Sequence, residues 1–364
     1  MPKLHKVFLR GFSAKVFNQT KGHKLWQKEQ LGRQRKNILR FLIILALAAI
    51  IFNLVFRFSQ VTSLIFRPFN KLQSTLNYEK GLDFKTRVNI LLMNLKSDRA
   101  DELALLSYEQ KEERLVVIFI PKEVEVPLPK NYGTQPLYSS YWLGQTEKEK
   151  RGIDILLSSA QKALAVPIDG YISLEEVQIR EENLKKLKEK LFTLDFFLQP
   201  FKEGWPSKQI KTSLSLKDFL SLSWKIKNTR SLDKLEFIYL DKTLKGVNFD
   251  PQLLDNMISE NLLDTNLASE AKKIEIRNAT QVSGMGNFVS RVIANMGLEV
   301  VSVKNEEQTT ETLIYAKENS RTVAKLAKFL QVKIIREELP DAQGDIIIVL
   351  GRDFYHRLEL ISNQ

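Results

Sequence analysis

The stretch IEIRNATQVSGMGNFVSRVIANMG, Ile274 to Gly297, decides how the end of this chain folds. Its first residues alternate apolar and polar, the period of a strand. After two glycines, Phe288, Val289, Val292, Ile293 and Met296 recur at helical spacing, and Gly297 stands where a left-handed residue ends a helix. Gly284-Met285-Gly286 raises the question of a dinucleotide turn. Such a turn needs its glycines directly after the strand, a small third position, and an acid ending the next strand. Here Thr280-Gln-Val-Ser intervenes, Val289 holds the third position, and Lys304 stands where the acid should be. The glycines therefore read as a turn and a helix start. Downstream, LEVVSV, ETLIYA and DIIIVLG read as strands, and SRTVAKLAKFLQ as a helix capped by Ser320. The order β-α-β-β-α-β predicts a small α+β unit of split βαβ type over residues 273–358.

Working outward, residues 246–272 are polar and rich in Asn, Asp and Leu, and read as an interdomain connector with some helix. Before them RVNILLMN is a strand, and LALLSYE and RLVVIFIP form a hairpin across QKEE. GIDILLSSAQKAL has helical spacing, DGYISL is strand-like, and SLEEVQIREENLKKLKEKLFTL is an amphipathic helix. Strands interleaved with helices predict an α/β sandwich over residues 85–245. Residues 57–84 read as a juxtamembrane stalk. Ile38 to Phe56, ILRFLIILALAAIIFNLVF, is 19 residues broken only by Arg40 and Asn53, long enough for a transmembrane helix.

The net charge of +12 is concentrated at one end. Residues 1–40 hold 11 Lys/Arg against Glu29 alone; the rest hold 44 against 42 Asp/Glu. Beside an apolar span such an arm reads as topogenic and headgroup-binding rather than nucleic-acid-binding. The positive-inside rule places residues 1–37 in the cytoplasm and the bulk of the chain outside the cytoplasmic membrane. Cysteine is absent, which excludes disulfide and thiolate-metal chemistry. The three histidines, two of them in the arm, form no metal-ligand spacing.

IEIRNATQVSGMGNFVSRVIANMGLEVVSVKN, followed by TLIYA and DIIIVLGRDF, resembles the LytR C-terminal domain of bacterial envelope proteins. Asn278, Gly284 and Gly286 occupy that family's strand-end Asn and Gly-containing turn. Upstream, RVNILLMN, RADELALLSY and VVIFIPKEV resemble a divergent LytR-CpsA-Psr (LCP) domain, over about residues 85–195. That resemblance implies a glycopolymer transferase acting on polyprenyl-pyrophosphate carriers, with Mg²⁺ as cofactor if catalytic. It assigns Arg99 and Asp101 to catalysis, Asp101 as metal ligand, and Lys122, Lys225 and Lys227 to phosphate binding. Departures are plain: Lys96 replaces an expected metal-binding acid, Lys122 replaces an arginine, and a later Asp…Arg…Arg-Gln run is missing. Lysine offers one compact charge where a guanidinium offers two parallel hydrogen bonds. The expectation is a membrane-anchored scaffold that binds polyprenyl-phosphate lipid or cell-wall glycopolymer, with weak or no catalysis. The alternative is a transferase with an altered phosphate site. The polymer, the acceptor and the oligomeric state are not legible.

Overall fold

The computed structural model describes residues 50–53, 68, 71–74, 81–174, 177–191, 210–229, 234–337, 339 and 341–360. The chain forms two compact units, Met1–Ser63 and Leu64–Gln364. Of the first unit, only residues 50–53 are described; they are helical and exposed. The expected arm and the rest of the expected span lie outside the described residues. Among the described residues no helix is long and apolar enough to cross a membrane.

The second unit opens with β1 (Val88–Lys96) and β2 (Arg99–Glu109), antiparallel across Ser97-Asp98. Both turn residues have positive φ, 49° and 59°, the twist that suits a two-residue hairpin. β3 (Arg114–Ile120) continues the meander as expected. Then come a small hairpin, β4 (Glu125–Pro127) and β5 (Thr134–Pro136), and helices α1 (Ser139–Gln145) and α2 (Gly152–Leu164). β6 (Gly170–Leu174) returns parallel to β1. α3 (Glu181–Lys190), β7 (Ile210–Thr212), α4 (Leu216–Asn228) and β8 (Leu235–Tyr239) follow. The sheet order is β7-β6-β1-β2-β3-β8. Because strand side chains alternate, Leu91, Met93, Leu105 and Ile118 meet α2 on one face. Ile90, Leu92, Leu106 and Val117 meet α4 on the other. This is the expected α/β sandwich.

Its limits differ from the expected ones. After the short hairpin β9 (Leu244–Lys245) and β10 (Asn248–Phe249), α5 (Pro251–Leu262) starts at Asp250, whose carboxylate accepts from Gln252 and Leu253 N–H. α5 buries Leu254, Ile258 and Leu262 against the first face of the sheet. The supposed connector is thus part of the sandwich core; its i, i+4, i+8 leucine-isoleucine row was obscured by the polar residues between. The supposed stalk also joins the domain. Pro68 bridges Ser215, Leu72 N–H donates to the Tyr171 hydroxyl at 2.9 Å, and Leu82 and Phe84 pack on the second face.

After α6 (Thr265–Ala268) come β11 (Lys273–Asn278), α7 (Met285–Asn295) and β12 (Glu299–Asn305). β13 (Leu313–Tyr315), α8 (Arg321–Leu330), β14 (Ile334–Ile335), β15 (Ile346–Leu350) and α9 (Arg352–Leu358) complete the chain. The sheet runs β12-β11-β15-β13-β14, with β11 parallel to both neighbours. Since β11 and β12 are adjacent, the unit is an unsplit βαβ, correcting the expected split one. α7 can cross directly because Gly286 has no Cβ; one there would lie 2.9 Å from Val303 Cγ1. Val289, Val292, Ile293 and Met296 are buried as the spacing predicts, and Ser320 caps α8 by accepting from Val323 N–H.

Buried charge joins this domain to the sandwich. Arg87 pairs with Glu109 at 2.5 Å, both almost fully buried, while Glu109 and Asp264 accept from Thr265 and Arg87 N–H. Lys325 of α8 pairs with Asp169, which lies just before β6, at 3.1 Å, with side-chain exposures of 5% and 6%.

Candidate functional site

The predicted chemistry gathers at the end of the hairpin β1–β2. Asn94 pairs with Glu102 and Leu95 with Ala100, so Asp101 is an extra residue in β2. Such a bulge re-aims a side chain. Asp101 is turned to the residue after Pro121, where Lys122 Nζ donates to its carboxylate at 2.9 Å. The pair is half-exposed, 41% and 42%. The hydrogen bond that Lys122 donates to Asp101 raises the lysine pKa, opposed by partial desolvation. Tyr138 ties the two strand ends, its N–H donating to Lys122 O at 3.2 Å and its carbonyl accepting from Ala100 N–H at 3.3 Å. Arg99 lies over the Tyr138 ring, 5.8 Å from its centroid. Asp101 and Lys122 are therefore in contact, and Arg99 stands at the same strand end, over Tyr138.

Lys225 and Lys227 are not. Lys225 donates to Gln110 at 3.0 Å, just beyond the far end of β2 from Arg99. At about 3.3 Å per residue, the strand alone separates them by roughly 30 Å. Lys225 also sits over the Phe84 ring at 4.9 Å, and desolvation lowers its pKa. Lys227 donates to Glu189 O at 2.7 Å, and Lys188 to Thr229 O at 2.9 Å. Lys227 and Lys188 thus cap the carbonyl ends of α3 and α4, where the helix dipole favours cations. They do not converge on Lys122.

The donor set at Asp101 does not fit Mg²⁺. Asp101 already faces an ammonium, Lys96 at the end of β1 is a cation, and Asp98 is exposed in the hairpin turn. Among the described residues no group of three or more His, Asp or Glu side chains is placed to hold a metal. What the pair offers is a cation with two spare donors and one quenching carboxylate, at a strand end that also carries Arg99.

At the C-terminal turn, Asn278 Oδ1 accepts from Thr280 Oγ1 at 2.6 Å and from Thr280 N–H at 3.2 Å, while Asn278 Nδ2 donates to Val282 O at 3.0 Å. Gly284 has φ of +82° and precedes the first turn of α7. Asn278, Gly284 and Gly286 thus have structural reasons in this turn, which borders an open groove of about 500 Å³ also lined by Asn287, Lys304 and Asn305.

The Asp101–Lys122 contact was readable from the sequence in principle. The hairpin register that pairs Leu103 with Ile120 carries Asp101 opposite Lys122. The Asp169–Lys325 pair was not, since 156 residues separate its members.

Residues 272–354 match the family described as the LytR cell envelope-related transcriptional attenuator, the LytR C-terminal domain. No curated protein matches the chain. Among solved structures it is similar to TagT bound to LI-WTA, at 15% identity and TM-score 0.33, covering 53% of this chain and 93% of that one. It is similar to B. subtilis TagV at 12% and 0.37, covering 47% and 94%. A LytR-CPS2A-psr family protein, YwtF (TagT), with bound octaprenyl pyrophosphate lipid, aligns at 17% and 0.32, covering 52% and 92%. Overlaps this loose leave the C-terminal family match as the firm assignment.

Proposed function

We propose that this is a single-pass cell-envelope protein whose sandwich domain holds the anionic head of a polyprenyl-phosphate-linked polymer as a scaffold, without transferring it. In this reading residues 1–37 are cytoplasmic, residues 38–56 span the membrane, and both folded domains are extracytoplasmic. The sequence likeness of residues 85–195 to LCP domains supplies the ligand class. The observation that carries the distinction from an enzyme is the 2.9 Å ion pair between Lys122 and Asp101. Displacing a polymer from a diphosphate requires a metal or converging cations to neutralise the leaving group. A lone carboxylate already paired with lysine holds Mg²⁺ poorly. One compact ammonium attracts a phosphate but does not clamp it as a guanidinium fork does.

A transferase remains the second reading, favoured by one observation: Arg99 and Asp101 stand at the same strand end as Lys122. Incubating the full chain with a polyprenyl-pyrophosphate-linked oligosaccharide, a peptidoglycan acceptor and Mg²⁺ separates the two. The scaffold reading expects carrier retention and no transferred sugar. Mg²⁺-dependent product would establish the enzyme.

A further inference from the structure

Between the sandwich and the C-terminal domain lies a cavity of about 260 Å³. One side is the turn from α2 to β6; the other is α8 and α9. Its walls are apolar, with Leu157, Pro167, Ile168, Phe329, Phe354 and Leu358. Phe329 and Phe354 meet edge to face at 6.1 Å. A water fills about 30 Å³ of liquid, so the space holds roughly nine water-sized groups, near the lower limit of small-ligand pockets.

The polar side chains in this lining are unevenly charged. Lys325, Lys328 and Arg357 face it with a single acid, Asp169. Lys325 is used up by Asp169 and by Arg87 O at 2.8 Å. Arg357 engages Asp353 and Leu330 O, each at 2.8 Å. Lys328 is held less firmly, 3.5 Å from Asp169 and 3.0 Å from Gly81 O, with 20% of its side chain exposed. Gln161 Oε1 accepts from Ile168 N–H at 3.3 Å, and its amide NH₂ meets no acceptor among the described residues. Burial would push the Asp169 carboxyl up, yet Lys325, Lys328 and the Asn89 N–H hold it below the usual range. The local potential is therefore positive even around the one acid.

We infer that this cavity binds a small amphiphilic oxyanion, a carboxylate or phosphate monoester on a compact apolar body. The oxyanion meets Lys328 and the Gln161 amide, and the body lies against Phe329 and Phe354. Because the walls come from both domains, the ligand stabilises their contact. The site lies apart from Lys122 and does not depend on the scaffold reading.

The test uses benzoate and phenyl phosphate as probes on the full chain, with benzyl alcohol and inorganic phosphate as controls, by calorimetric titration and thermal shift. Saturable binding of either anion, weakened by salt and accompanied by a raised Tm, is expected; the preferred one tells carboxylate from phosphate. Neither control should bind comparably. Lys328→Met and Gln161→Leu should each weaken binding about tenfold or more while circular dichroism stays native. Either variant failing to fold leaves the other to decide. No saturable binding, equal binding of benzyl alcohol, or indifference to both substitutions overturns the inference.

Discussion

Replacing Lys325 by methionine tests how the two domains of the second unit are held. Methionine keeps most of the apolar stem, so the perturbation is the loss of one buried ammonium. That ammonium donates to Asp169 at 3.1 and 3.2 Å and to Arg87 O at 2.8 Å. Removing one partner of a buried pair typically costs about 3–5 kcal/mol, because the other charge is left without compensation. Here Lys328 remains 3.5 Å away and the Asn89 N–H still donates at 3.0 Å, so the low end, about 3 kcal/mol, applies. At roughly 2–4 °C per kcal/mol for a large domain, Tm should fall by about 6–12 °C. The assay is thermal and guanidinium unfolding of the full chain by circular dichroism. Adding Asp169→Asn should recover much of the loss, since no charge is then stranded. A Lys325→Met variant within about 0.5 kcal/mol of wild type, the range of neutral surface changes, would refute the reasoning.

Acid should act through Asp169 and through a second buried carboxylate, Glu275. Asp169 and Glu275 both have pKa values held below their ordinary 3.8 and 4.5. For Asp169 and Glu275 burial alone would raise the value, and their cationic and N–H partners more than reverse it. A depressed folded value means stability that is complete above the unfolded value and lost as pH falls through the folded one. Stability should therefore decline below about pH 4.5, and less steeply in Asp169→Asn, as urea midpoints across pH would record. Gly284→Ala, at φ of +82°, should cost about 1–2 kcal/mol from left-handed strain, read from the same unfolding curves. If residues 38–56 span the membrane, protease outside permeable cells should remove the folded domains and spare residues 1–37; their protection would contradict that topology.

Where periodicity and burial coincide, the sequence was informative. β1, β2 and β3 are apolar runs, and the α7 face from Phe288 to Met296 follows helical spacing. The limits of the sandwich were obscured because α5 exposes Gln252, Asn256 and Glu260 between its buried residues, making the helix look like a linker. The strand adjacency that makes the C-terminal βαβ unsplit is a pairing choice that no local pattern encodes. At the site, residue types were legible, and so in principle was the hairpin register that sets Asp101 opposite Lys122, but the wider relations were not. The bulge that turns Asp101 to Lys122 has no local signal, and of the α4 lysines that look like phosphate ligands in sequence, Lys227 caps the end of α3 while Lys225 is spent on Gln110 and Phe84. The charge pairs joining the domains depend on contacts across more than a hundred residues, beyond any local signal.

The claim that Asp101 quenches Lys122 instead of holding a metal is tested most directly by Asp101→Asn. Removing the carboxylate's charge frees the Lys122 ammonium while leaving shape unchanged. Titration of the full chain with geranylgeranyl pyrophosphate, with and without Mg²⁺ and at two salt concentrations, reads the outcome. The account predicts that Asp101→Asn binds more tightly than wild type, by up to about fivefold, since a half-exposed pair is worth at most about 1 kcal/mol, with strong salt dependence and no need for Mg²⁺. Binding that requires Mg²⁺ in the wild type and is lost in Asp101→Asn would contradict it.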